Sequence, residues 1–331
     1  MVTGRSLSPT GRCDRQLPSL GQQPPLKRLA AFISLCYKLT MQAFSYVPAR
    51  TLQEALDVLA KEGDQAKLLS GGTDILVMLR EGRRKAKTVV DVKGIPELNE
   101  LSYDAKKGLT IGAAVPCYKI YGMPAIALAY PGIIDSASLI GGTAIQGRAT
   151  LGGNICTASP AGDTLPTLIA LEATCHTARG GVRREIPIEK MFAGPGRTVL
   201  EPNEILIQIK VPAPGRNSGS AYLRFIPRNE MDIAVTSAGV SVTLDDDKKT
   251  ILKARIAIGA VAPIPLFVPE AGAALIGKEA TAEAIEEAAQ LAKAAAKPIS
   301  DMRGTAEHRK HLTYVMTKRA LEKAIERAKA N

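Results

Sequence analysis

Thr150-Leu-Gly-Gly-Asn154-Ile-Cys-Thr-Ala-Ser159-Pro-Ala-Gly-Asp163 is the stretch around which the chain is organised. It places two adjacent glycines, a carboxamide, three hydroxyls and one acid in a short span. A glycine lacks the Cβ that would hold a ligand away from backbone N–H groups. Hydroxyls and a carboxamide match phosphate oxygens and sugar hydroxyls. A carboxylate repels phosphate, so Asp163 suits a hydroxyl such as a ribose OH. The composition points to a nucleotide diphosphate held mainly by backbone. An unliganded surface connector has the same composition.

A second glycine pair lies upstream. Lys67 to Ser70 reads as a short strand, Gly71-Gly72-Thr73-Asp74 as a loop, and Ile75 to Leu79 as an apolar turn of helix. Strand, glycines and helix start are the order in which free N–H groups meet phosphate. The G-x-G-x-x-G spacing of dinucleotide folds is missing. A plain strand-to-helix turn fits these residues equally well.

With 331 residues the chain can hold two domains and a sizeable core. No apolar run reaches the roughly 18–20 residues of a bilayer span. Trp is absent and aromatics make up 4%, which argues against stacking platforms for single-stranded nucleic acid. The net charge is +11, but residues 1–40 carry six Lys or Arg against one acid, a net of +5. The remainder mixes both signs, so no dense basic face for nucleic acid is expected. The five cysteines (Cys13, Cys36, Cys117, Cys156, Cys175) are odd in number and widely spaced. That argues against a disulfide framework and against a zinc or iron–sulfur site within the chain, and it suits a reducing cytoplasm. His308 and His311 flank Arg309 and Lys310 on an expected helix, where a surface position is expected rather than a metal site.

Residues 1–40 read as a disordered tail or as translation from too early a start, with the domain pattern beginning at Met41. Thr51-Leu-Gln-Glu54 is a capping box opening a helix that Gly63 closes. Thr88 to Val92 and Leu109 to Val115 read as strands, and Pro124 to Leu139 as helical. Asp163 is expected to cap a helix running to Leu171. Thr174 to Ala178 and Val182 to Ile186 form an expected hairpin, and Glu204 to Val211 a strand. A Pro/Gly-rich link from Pro212 to Gly219 sets the boundary between domains over 41–216 and 217–331. The second domain reads as three strands (Ala221 to Ile226, Ala234 to Leu244, Ile251 to Val261) followed by helices over Thr281 to Lys297 and Thr305 to Lys329.

Several motifs then fall in one order. They are Ser70-Gly-Gly-Thr-Asp74, Thr110-Ile-Gly-Ala113, the central stretch, Leu200-Glu-Pro-Asn-Glu-Ile-Leu206, Arg228-Asn-Glu-Met-Asp-Ile-Ala234 and Asp301-Met-Arg-Gly-Thr-Ala-Glu307. From about Met41 onward the chain resembles the FAD-binding subunit of molybdenum hydroxylases, of the carbon monoxide dehydrogenase medium-subunit and xanthine dehydrogenase type. The resemblance implies an α+β fold: a two-part FAD-binding region of the vanillyl-alcohol-oxidase/PCMH type, then a three-stranded antiparallel sheet packed with helices. It implies that two glycine loops meet at the FAD pyrophosphate. The residues carried over are Leu68, Leu69, Ser70, Gly71, Gly72, Thr73, Asp74 and Ile75 on the first loop, and Thr150, Leu151, Gly152, Gly153, Asn154 and Asp163 on the second. Ile140, Leu206 and Arg224 match positions lining the adenine or flavin ring. Arg224 stands where the xanthine dehydrogenase branch has Lys, and a cation there would favour anionic reduced flavin.

The resemblance further implies an electron-transfer role without catalytic residues or metal in this chain. Partners would be a large molybdopterin subunit and a small subunit with [2Fe–2S] clusters, assembled as a dimer of heterotrimers. The terminal acceptor would be a small molecule or carrier. Two other readings stand beside it: a free-standing FAD-dependent reductase on a related fold, and a flavin-free assembly scaffold. The substrate of the complex is not encoded in this chain.

Overall fold

The computed structural model describes residues 41–331; the expectations for residues 1–40 lie outside them. The first layer is a parallel three-stranded sheet in the order β1-β3-β2, with β1 Ser45–Pro48, β2 Ala66–Leu69 and β3 Thr88–Asp91. All of β3 is buried, as a central parallel strand requires. The helix Leu52–Glu62 connects β1 to β2. Thr51 caps it by accepting from the Glu54 amide at 3.2 Å. The Glu54 carboxylate reaches back one residue further than a capping box requires, to the Arg50 amide at 2.8 Å. Gly63 ends the helix at φ 53°, in the left-handed region.

The second layer is an antiparallel sheet in the order β4-β5-β10-β6-β7. Its strands are β4 Leu101–Asp104, β5 Gly108–Gly112, β6 Thr174–Arg179, β7 Val182–Pro187 and β10 Ile205–Val211. The two short strands β8 Phe192–Gly194 and β9 Arg197–Thr198 form a separate ribbon. The expected hairpin of β6 and β7 is present, with Thr174 opposite Pro187. Short helices between β5 and β6 cover this sheet, and one apolar core runs from Ala49 to Val211 and is joined by Ala257.

The third layer is antiparallel, β11 Ser218–Phe225, β12 Thr236–Leu244 and β13 Ile251–Gly259, with the two-residue strand β14 Leu266–Phe267 added at the edge of β13. Strand alternation gives it two different faces. Ala238, Val240 and Val242 face a core shared with the helices Ala282–Ala295 and Ala306–Ala330. Gly239 faces the other way, and a Cβ on it would lie 2.4 Å from the Pro166 backbone. The fully buried helix Thr164–Ala170 thus packs directly on this sheet. A charged tie adds to the joint. Asp135 accepts from Arg327 at 2.6 Å, Lys323 at 3.1 Å and the Tyr222 amide at 3.1 Å. No helix among the described residues is long and apolar enough to cross a membrane.

Candidate functional site

Two segments face each other across a cleft. The first leaves β2 at Leu69, turns through residues 70–74 and enters the helix Ile75–Arg80. Gly72 takes φ 84°, a conformation that other residues adopt at a cost. The second segment differs from the expected glycine loop: it is a helix, Leu151–Thr157. Thr150 caps it, its Oγ1 accepting from the Gly153 amide at 2.8 Å. Gly152 and Gly153 therefore lie in the first turn, where helix amides have no intrahelical acceptor.

The glycines let these segments approach. A Cβ on Gly71 would lie 2.3 Å from the Arg148 carbonyl oxygen, and one on Gly152 would lie 2.4 Å from that of Ala113. A Cβ on Gly153 would meet nothing nearer than Thr150 Oγ1 at 3.0 Å. Hydrogen bonds fasten the pair together. Ser70 Oγ lies 3.1 Å from Thr150 Oγ1 and donates to the Ala113 carbonyl at 3.2 Å. Thr157 Oγ1 donates to Asp74 Oδ2 at 3.0 Å, and Arg148 Nε to the Gly71 carbonyl at 3.4 Å. From behind, Lys93 donates to the Ser70 carbonyl at 3.3 Å and pairs with Asp91 at 2.7 Å. Burial would raise the Asp91 carboxyl, but hydrogen bonds from Lys93 and Tyr46 outweigh it and hold the pKa below the usual range.

The donors left over define the chemistry. Among the described residues, the amides of Gly71, Gly72, Thr73, Asp74 and Ile75 donate to no acceptor in the chain, nor does that of Gly152; the Leu151 amide faces the Val115 carbonyl across the Pro116–Thr150 bridge. All of the residues with free amides but the exposed Asp74 are buried or half-buried; such N–H groups call for partners, and donors converging from two sides suit an anion. Asn154 Oδ1 accepts from Thr164 Oγ1 at 2.7 Å, so its carboxamide is held in place. Leu68, Ile75, Met78, Ile140 and Leu206 make the apolar wall, and Arg84, Ala113, Ala149, Cys156 and Thr157 complete the lining. A diphosphate with flanking sugar and ring fits this donor set.

The structure thus brings Leu68, Ser70, Gly71, Gly72, Thr73, Asp74, Ile75, Ile140, Thr150, Gly152, Gly153, Asn154 and Leu206 to one cleft. Leu69 and Leu151 turn into the core instead, anchoring the two segments. Asp163 and Arg224 lie off the cleft wall. Asp163 starts the helix Thr164–Ala170 without capping it, correcting the expectation for that residue. Its oxygens are taken by Tyr222 Oη and Arg224 Nη1, each at 2.7 Å. Burial pushes the Asp163 carboxyl up, against the pull of Arg224 and Tyr222. Burial and the adjacent carboxylate push the Tyr222 phenol well up. The Arg224 charge is offset by this pairing, so its field at a distance is weaker than that of a free cation.

Other motifs resolve into supports. Glu204 is buried and accepts from Arg184 at 2.6 Å and from Thr177 at 2.5 Å, fixing the corner from which β10 carries Leu206 to the cleft. Arg309 is also buried and holds Asp301 at 2.6 Å. Sequence reading missed Met78, Arg84, Ala113, Ala149, Cys156 and Thr157. A signal existed for Thr157: seven residues after Thr150 it returns to the same helical face.

Residues 42–214 match the model of the FAD binding domain in molybdopterin dehydrogenase, and residues 221–324 match that of the CO dehydrogenase flavoprotein C-terminal domain. The chain is 32% identical to the carbon monoxide dehydrogenase medium chain of Hydrogenophaga pseudoflava, over 85% of this chain and 96% of the relative. It is 32% identical to the xanthine dehydrogenase FAD-binding subunit of Escherichia coli, with the same coverage. A solved structure of carbon monoxide dehydrogenase from H. pseudoflava superimposes with a TM-score of 0.83 at 32% identity, covering 87% of this chain and 99% of that one. The chain belongs to the family of FAD-binding subunits of molybdopterin dehydrogenases. It is a flavoprotein component of an oxidoreductase.

Proposed function

We propose that this chain is the electron-transfer subunit of a heteromeric molybdenum hydroxylase, holding FAD in the cleft between its two glycine segments. The observation that carries the proposal is the set of unpartnered amides of residues 71–75 and of Gly152 around one cleft. Ser70, Thr73, Thr150 and Asn154 supply side-chain oxygens and a carboxamide beside them. Leu68, Ile75, Ile140 and Leu206 cover the apolar parts of the cofactor. The cleft encloses about 240 Å³, less than the ~300–1,000 Å³ of pockets that engulf a whole ligand. It would hold the middle of such a cofactor, with the ends along open surface. An end reaching the seam between the two parts would have to share Arg224 with Asp163.

Bound flavin supplies the exchange between one-electron and two-electron carriers. Electrons would arrive from [2Fe–2S] clusters of a small partner subunit, downstream of a large molybdopterin subunit. They would leave to a small-molecule or carrier acceptor. The chain's own task is to bind and orient. A dimer of heterotrimers in the cytoplasm completes the proposal; the free thiols of Cys117, Cys156 and Cys175 suit a reducing compartment. The test is purification of the complex with its native partners, followed by denaturation and quantification of released flavin. One FAD per copy of this chain is expected, and a complex whose flavin stays with another subunit overturns the proposal.

A further inference from the structure

Three cations lie close to the cleft, and two of them are committed. Lys93 is paired with Asp91 and bonded to the Ser70 carbonyl, and Arg148 is bonded to the Gly71 carbonyl. Arg84 lines the cleft itself. Its neighbour Arg83 is bonded to Glu81 at 2.6 Å, whereas the Arg84 guanidinium has no hydrogen-bond or ion-pair partner among the described residues. The surrounding loop is strongly basic: Arg80, Arg83, Arg84, Lys85 and Lys87 are exposed, against one acid, Glu81.

That loop is pinned at both ends and in the middle. The Arg84 amide donates to the Met78 carbonyl at 3.2 Å, and the Lys87 amide to that of Gln65 at 2.8 Å. Ala86 is buried with Leu69, Leu79 and Val89 in a small core beneath the first glycine segment. Arg84 is therefore delivered to a defined place beside the amide donors. Asp74 adds a negative charge to the same wall. Amide dipoles direct a diphosphate but leave most of its charge in place, and a facing carboxylate opposes it.

We propose that Arg84 is an ionic subsite of this cleft, its guanidinium meeting the phosphate charge of the bound dinucleotide. The inference rests on the reading of the cleft as an FAD site. A guanidinium binds phosphate oxygens with charge-assisted bonds. No glycine motif announces it, because the residue comes from a neighbouring loop.

The test is titration of the flavin-free full chain with FAD and, separately, with riboflavin, which has no phosphate. Wild type, Arg84→Ala, Arg84→Lys and Arg83→Gln are compared at low and high salt. Arg84→Ala is expected to weaken FAD about tenfold to a hundredfold at low salt, as for loss of a charged hydrogen bond. The gap narrows at about 1 M salt, where screening acts within roughly 3 Å. Riboflavin affinity stays unchanged, Arg84→Lys recovers part of the loss, and Arg83→Gln binds as wild type. Equal FAD affinity of wild type and Arg84→Ala at low salt overturns the subsite, and so does an equal loss for riboflavin. A wild-type chain that takes up no FAD overturns the reading of the cleft, and the subsite with it.

Discussion

Gly153→Ala should separate binding from folding. Gly153 is the third residue of the helix Leu151–Thr157 and has ordinary helical surroundings. Replacing a helical glycine by alanine favours the helix by about 1 kcal/mol. The new Cβ would lie 3.0 Å from Thr150 Oγ1, a tight contact with the end of a side chain that offsets part of that gain. Stability should therefore change by less than about 1 kcal/mol. The methyl group, however, occupies the cleft wall beside the free Gly152 amide. Displacing a diphosphate from one such bond costs about 1.5–3 kcal/mol, or roughly tenfold to a hundredfold in FAD affinity. Gly152→Ala is the contrast. Its Cβ would lie 2.4 Å from the Ala113 carbonyl oxygen, which is backbone and cannot turn aside. Overpacking of that kind costs about 1–3 kcal/mol of stability. Urea unfolding of the flavin-free chain and quenching of flavin fluorescence measure the two quantities. A Gly153→Ala chain that binds FAD as tightly as wild type would refute the reasoning, as would equal destabilisation by both substitutions.

Gly71→Ala should destabilise by about 1–3 kcal/mol, because its Cβ would lie 2.3 Å from the Arg148 carbonyl oxygen; a lowered urea midpoint checks this. Thr157→Ala removes the clasp to Asp74 at 3.0 Å. It should leave stability within about 1 kcal/mol while speeding FAD release, read by stopped-flow displacement. Asp135→Asn tests the seam. Burial would raise the Asp135 carboxyl, but Arg327, the Tyr222 amide and Lys323 outweigh it and hold the pKa below the usual range. A lowered folded-state pKa contributes stability that is full above the unfolded value of about 4 and is lost as pH falls through the folded value. The variant should lose about 2 kcal/mol at pH 7 and show a flatter decline below pH 4. Unfolding midpoints at pH 7 and pH 3 check it, and parallel pH curves would count against it.

Local chemistry made much of the fold legible in the sequence. The strand, glycine pair and helix of the first segment are read almost to the residue, because each step has its own signal: a short strand, a glycine turn and an apolar turn of helix. The helices opening after Thr281 and Thr305 are likewise marked by caps that accept from the amides of Ala284 and His308. The second segment misleads for a physical reason. Its glycines serve close approach to Ala113 and an open wall rather than a left-handed turn, so a helix looks like a loop. Asp163 misleads because its partners Tyr222 and Arg224 lie about sixty residues away, beyond any local pattern. Arg84 carries no motif, and the fold alone brings it to the cleft.

The central claim is that two sets of free backbone amides close on one dinucleotide diphosphate. Isothermal titration of the flavin-free wild-type chain with FAD, and then with riboflavin, measures that most directly. One FAD bound per chain is expected, with an affinity far above that for riboflavin. Equal affinity for the two flavins, or no binding of either, would contradict it.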